Sequence, residues 1–192
     1  SFGAIPVNVK ELGVDFYAVT GQKWLCGPEG AGALYGTRTA AAQLRITFAG
    51  YGTAQAYDMY GGLLPKGGVQ KLEQGTVQPA NLAGQLAACR WLTEEVGADW
   101  AYGRIRRMAA AAREILAGVP GVTVVTPAET AGLVTFQVEA DADRVQKALA
   151  QQRIIVRTVP HPRSLRLSAG FYNTEEELER LAAALLPLAQ GA

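Results

Sequence analysis

The stretch Val14–Gly36, VDFYAVTGQKWLCGPEGAGALYG, decides how the rest of the chain reads. Its apolar run Val14–Val19 stops at Thr20-Gly21, and Lys23 follows on the turn. A Gly-Pro-rich loop and a second apolar run, Ala31–Gly36, complete it. Apolar runs that end in Gly and polar turn residues read as strands. Lys23 is therefore expected at the mouth of a sheet, where open α/β sheets bind ligands. An amine beside apolar surface that penalises its charged form can act as a nucleophile toward carbonyl compounds. Taken alone, the same residue also reads as a surface lysine kept for solubility.

Composition narrows the function classes. The chain has 192 residues, 49% hydrophobic and 18% charged, as expected of a globular protein of one domain or two small ones. A formal net charge of +1 gives no electrostatic bias toward nucleic acid or membrane surfaces. No apolar run reaches membrane-spanning length and no secretory pattern opens the chain. Cys26 and Cys89 are too few for a disulfide framework and suit no zinc site, so the expected compartment is the cytoplasm.

The segment DFYAVTGQKWLCGPEGAGALY resembles the cofactor-lysine motif of the class V aminotransferases, which include cysteine desulfurases and isopenicillin N epimerase-like proteins. The resemblance rests on both flanking strands, on Gly27-Pro28 and on the spacing. It implies that Lys23 forms the internal aldimine of pyridoxal 5'-phosphate in a fold type I enzyme. In the family, the text SFGAIPVNVKELGVDF follows an Asp-x-x-Gln motif and half of the protein. The chain thus reads as the C-terminal part of an α/β fold type I transferase. Residues 1–98 are expected to be the remainder of the large, cofactor-binding domain with its linking helix, and 99–192 a small C-terminal α+β domain.

Pyridoxal phosphate needs an amine, a phosphate cradle, an acid for the pyridine nitrogen and an anchor for the substrate carboxylate. Lys23 is the amine. The family usually has Ser-Gly-His before the lysine; here it is Thr20-Gly21-Gln22, which keeps a hydroxyl and a neutral N–H donor for phosphate. Both also read as turn hydrogen bonds. Lys71-Leu72-Glu73-Gln74-Gly75-Thr76 resembles the family pattern Arg-Phe-Glu-x-Gly-Thr, which implies that Gly75 and Thr76 meet the cofactor phosphate of the other subunit of a homodimer. An ordinary turn before a helix is the alternative. The pyridine-binding aspartate and ring-stacking histidine of the family would precede Ser1. For the carboxylate, RLSAGFYNTEEELERL resembles the family signature Arg-x-Ser…Tyr-Asn-Thr-x-Glu-Glu, which implies that Arg166 holds an amino-acid carboxylate. Arg157 is a second substrate-binding candidate that also reads as structural.

Three tempting sites carry less. Gly27–Gly32, GPEGAG, lacks nucleotide-loop spacing and reads as a tight turn between strands. Cys26 has no base nearby and reads as a packed thiol. His161, between two prolines, reads as a loop residue.

The desulfurases carry a persulfide-forming cysteine before the carboxylate arginine. Arg157–Arg166, RTVPHPRSLR, holds none, so the usual desulfurase mechanism is disfavoured. Transamination, epimerisation and carbon–sulfur lysis of a small-molecule amino acid remain. The different-class alternative is a catalytically incomplete fragment or pseudo-enzyme acting as a binding module.

For the remaining elements, Phe48–Gly68 is expected to be one long loop, and it resembles the family segment that reaches across the subunit interface toward the partner's active site. Asn81 is expected to cap a helix carrying Leu82, Leu86, Cys89, Leu92 and Val96, and a second helix starts near Asp99. Strands are expected at Val122–Thr126, Leu133–Val138, Ile154–Arg157 and Leu165–Ala169, with a helix over Asp141–Ala150. Thr174–Glu177 reads as a capping box for a last helix buried through Leu178, Leu181, Leu185 and Leu188.

Overall fold

The computed structural model describes residues 2–191, which divide into two compact units. One holds Phe2 and residues 6–95; the other holds Gly3–Ile5 and residues 96–191.

In the first unit, β1 (Phe16–Thr20) pairs antiparallel with β2 (Gly32–Gly36), in register from Phe16↔Gly36 to Thr20↔Gly32. β1 begins later than the apolar run suggests, at the residues that have a partner on β2. Thr37 closes the far end: its N–H donates to the Asp15 carbonyl, and its hydroxyl to the Asp15 carboxylate at 3.3 Å. Thr37 also caps α1 (Arg38–Gln43), accepting from the Ala40 N–H. The expected featureless loop at 48–68 contains a hairpin, β3 (Ala54–Tyr57) with β4 (Leu63–Pro65). Its turn is held by Asp58, whose Oδ1 accepts from the N–H groups of Tyr60 and Gly62 at 2.8 Å each. Buried Thr53 ties its base to the following segment by donating to the Glu73 carbonyl.

A 3-10 turn, Gly68–Leu72, precedes α2 (Pro79–Arg90). Asn81 does not cap it. Pro79, whose ring presets a helical φ, starts the helix at N1 after Gln78, leaving Asn81 inside the first turn. The apolar stripe read on this helix is only partly covered: Leu82 and Leu86 are half exposed, Leu92 is buried and Cys89 lies between. The helix widens into a π-turn over Trp91–Val96, and Gly97, at φ +83°, breaks it before α3 (Ala98–Ala117).

The second unit is a four-stranded antiparallel sheet in the order β5-β6-β8-β7, comprising β5 (Val122–Val124), β6 (Leu133–Val138), β7 (Arg157–Pro160) and β8 (Arg163–Ser168). α3, α4 (Ala142–Gln151) and α5 (Glu175–Leu185) pack on one face. The strands alternate as a half-covered sheet requires. Val134, Phe136, Leu165 and Leu167 point into the core, meeting Met108, Ala112 and Leu116 of α3, Val145 and Leu149 of α4, and Leu178, Leu181 and Leu185 of α5. Asp141 caps α4 by accepting from the Arg144 N–H. The capping box at Thr174 is formed in both directions.

The strand expected at Ile154–Arg157 is displaced. Its apolar residues belong to the exit from α4, where Arg153 takes φ +60° and the Ile154 N–H returns to the Leu149 carbonyl. β7 begins only at Arg157, and β8 begins two positions before the expected Leu165. No helix among the described residues is long and apolar enough to cross a membrane.

Candidate functional site

Lys23 stands in the loop that joins β1 to β2, so the sheet it borders is an antiparallel pair among the described residues. Thr20, Gln22 and Lys23 are all exposed there. The loop is held by its own backbone. The Gly21 N–H donates to the Ala31 carbonyl at 2.9 Å, the Gly27 N–H to the Gly21 carbonyl at 2.9 Å, and the Cys26 N–H to the Lys23 carbonyl at 3.0 Å. Leu25 and Ala31 are buried beneath it. No hydrogen-bond or ion-pair partner engages the Lys23 amine among the described residues, which leaves its nitrogen available.

This loop is braced by two residues that the sequence did not tie to the lysine. From α2, Asn81 donates to the Glu29 carbonyl at 2.9 Å. One turn later, Gln85 lies flat against Gly21 and Gly27; a Cβ at either glycine would fall 1.8 or 1.9 Å from its Oε1. Those glycines are therefore required by close approach. Gln85 Nε2 contacts the Cys89 sulfur at 3.4 Å, while its Oε1 is buried without a partner. The regularly placed glycines were the only sequence signal for this brace. Partial burial pushes the Cys26 thiol above its ordinary pKa, which disfavours the thiolate a nucleophile needs. GPEGAG is the turn expected, with Gly30 at φ +79°.

Gly75 and Thr76 are exposed in the segment between the 3-10 turn and α2, and no bond ties them to the lysine loop. In the second unit, Arg157 on β7 stands directly opposite Arg166 on β8, and Thr135 on β6 stands opposite Arg166 from the other side. All three point away from the core, since their neighbours Leu165 and Leu167 point into it. Arg157 is exposed; Arg166 is half buried, with Nε enclosed and lacking a partner. β7 and β8 are joined through His161-Pro162, a tight connection with no cysteine.

The sequence profile of Aminotransferase class-V matches residues 1–181. The chain belongs to the class-V aminotransferase family. Among its curated relatives, isopenicillin N epimerase of Streptomyces clavuligerus is 30% identical over 214 residues, covering 95% of this chain and 49% of the relative. A probable cysteine desulfurase of Halalkalibacterium halodurans is 32% identical, with 93% and 46% covered. Among solved structures, the cystine C–S lyase C-DES in complex with its product cysteine persulfide matches with a TM-score of 0.87 at 31% identity, covering 97% of this chain and 50% of that one. A lysine-to-alanine variant of C-DES with glycine covalently linked to its PLP cofactor matches equally well, at 30% identity. The class-V chain described here spans about half the length of the curated relatives it matches, and its mixed α/β architecture is that of the corresponding part of these fold type I structures.

The donor set suits the cofactor those neighbours carry. An unengaged primary amine can take an aldehyde. A hydroxyl at Thr20 and an amide at Gln22 offer neutral donors to phosphate oxygens, and both lie on the same exposed loop.

Proposed function

We propose that this class-V chain supplies the reactive lysine and the carboxylate-binding arginine of a pyridoxal 5'-phosphate enzyme acting on an amino acid. The observation that carries this is the Lys23 amine, without a partner among the described residues, on a glycine-braced loop within a family match covering residues 1–181. Lys23 would hold the cofactor through its amine, with Thr20 and Gln22 donating to its phosphate. Gly75 and Thr76 would serve the phosphate of a second subunit in a homodimer. When bound, pyridoxal phosphate supplies an electron sink for the charge left at the substrate Cα.

The chain's own residues do the rest. Arg166 presents a planar fork suited to pairing with an amino acid's α-carboxylate and fixing its orientation. The Lys23 amine would be the base that takes the Cα proton and can return it. Where that proton is returned, or what leaves in its place, separates transamination, epimerisation and carbon–sulfur lysis. The short His161-Pro162 turn and the absence of cysteine from 157–166 support a reaction that needs no protein thiol there.

The test follows Cα proton exchange into D2O by proton NMR, using the intact protein, cofactor and a panel of amino acids, while pyruvate, ammonia, sulfide and inversion are assayed together. Exchange that disappears in Lys23→Ala and persists in Cys26→Ser supports the proposal. Exchange surviving in Lys23→Ala removes it.

A further inference from the structure

Gln85 of α2 reaches both ends of the turn that carries Lys23. Gly21 and Gly27 bracket the lysine, and the Gly27 N–H closes the turn on the Gly21 carbonyl at 2.9 Å. Gln85 Oε1 stands almost where a side chain of either glycine would begin, 1.8 Å from the Cβ position of Gly21 and 1.9 Å from that of Gly27. In glycine a hydrogen on Cα points there. One carbonyl oxygen therefore faces two Cα–H groups, the weak donors that carbonyl oxygens also accept between strands. At the other end of the carboxamide, Nε2 meets the Cys89 sulfur, a weak acceptor, at 3.4 Å. That contact turns the oxygen toward the glycines. Oε1 is buried and has no N–H or O–H donor. An apolar side chain of the same length would fill the space without leaving an oxygen short of a donor. An oxygen retained there at a cost is accounted for by what it holds, the two ends of the lysine turn.

We propose that Gln85 is a positioning residue for Lys23. Its oxygen clamps Gly21 and Gly27 to each other and so fixes the direction in which the turn projects the amine. The oxygen, and not the volume of the side chain, does this. Gln85 acts through the turn and not on the reacting atoms, as the support of a preorganised site does. The inference rests on the reading of Lys23 as the attachment point of the cofactor. It gives the two glycines and Cys89 a common purpose: the glycines leave room for the oxygen, and the sulfur orients it.

The experiment compares wild type, Gln85→Met and Gln85→Ala in the intact protein. Methionine keeps the length and bulk without the oxygen, and alanine removes both. Amide hydrogen exchange at Gly27 reads the clamp without any cofactor. Its protection should fall about tenfold in both variants, the scale of two Cα–H contacts. Visible circular dichroism per bound pyridoxal 5'-phosphate reads how firmly the amine is aimed. It should fall to roughly half or less in both variants, while borohydride trapping still reaches Lys23 at saturation. Exchange and dichroism that stay at wild-type values in Gln85→Met but change in Gln85→Ala assign the side chain to packing and overturn the proposal. Wild-type values in both variants overturn it as well. Absence of trapping at Lys23 in the wild type would instead refute the pyridoxal reading, and the Gly27 exchange would still decide the clamp.

Discussion

Replacing Gly27 by alanine tests how the lysine loop is held. The added Cβ would lie 1.9 Å from Gln85 Oε1, 2.5 Å from its Cδ and 2.8 Å from its Nε2, and nothing else is as near. The carboxamide must therefore retreat by about 1.5 Å to reach ordinary contact distance. That movement gives up its contact with the Cys89 sulfur. Overpacking of this kind costs about 1–3 kcal/mol. Because the three nearest atoms all belong to one side chain, Gln85→Ala should remove most of the penalty. The double variant is expected to recover most of it, a coupling on the order of 1–2 kcal/mol. Gly21→Ala is the contrast: its Cβ meets Gln85 Oε1 at 1.8 Å but also the Ala31 carbonyl oxygen at 3.0 Å, which a backbone hydrogen bond holds in place. Gln85→Ala should rescue Gly21→Ala only in part. Urea unfolding gives the global energies, and amide hydrogen exchange across residues 21–31 gives the local ones. If Gly27→Ala costs as much in the Gln85→Ala background as in the wild type, the brace is not what holds the loop.

Two further predictions concern the second unit. Arg104 donates to the Glu175 carboxylate and, with the first-turn backbone, lowers its pKa from 4.5 to about 2. A depressed folded-state value means that the stabilisation is complete above pH 4.5 and is lost as pH falls toward 2. Urea midpoints of wild type and Glu175→Gln should differ at pH 7 and converge across that window; a constant difference would contradict the ion pair's role. Phe136, fully buried at the centre of the sheet, should cost about 3–5 kcal/mol when cut to alanine, read as a lower thermal midpoint with the fold retained.

Most of the second unit was legible because its signals are local. The helix starting near Asp99, the strand at Leu133–Val138 and the Thr174 capping box each lie within one element, and the structure keeps all three. The misplacement of β7 shows the limit. Ile154-Ile155-Val156 has strand composition, but the end of α4 captures it through the Ile154–Leu149 bond, and no local pattern encodes that choice. The opposition of Arg157 and Arg166 was hidden by the same displacement, since it depends on register. The hairpin at 54–65 was equally invisible: side chains of Asp58 and Thr53 make it, through bonds that Gly- and Tyr-rich text does not announce. At the lysine loop, the strand ends and the turn could be read directly. The brace from Asn81 and Gln85 could not, because it joins residues far apart in sequence.

The central claim is that Lys23 is the attachment point for the cofactor. Incubating the intact protein with pyridoxal 5'-phosphate, reducing with borohydride and mapping the pyridoxyl group by peptide mass spectrometry tests it directly. The account predicts modification at Lys23 in stoichiometric yield, with Lys10, Lys66, Lys71 and Lys147 only sparsely labelled. Modification spread evenly over these lysines, or concentrated on any one of them other than Lys23, would contradict it.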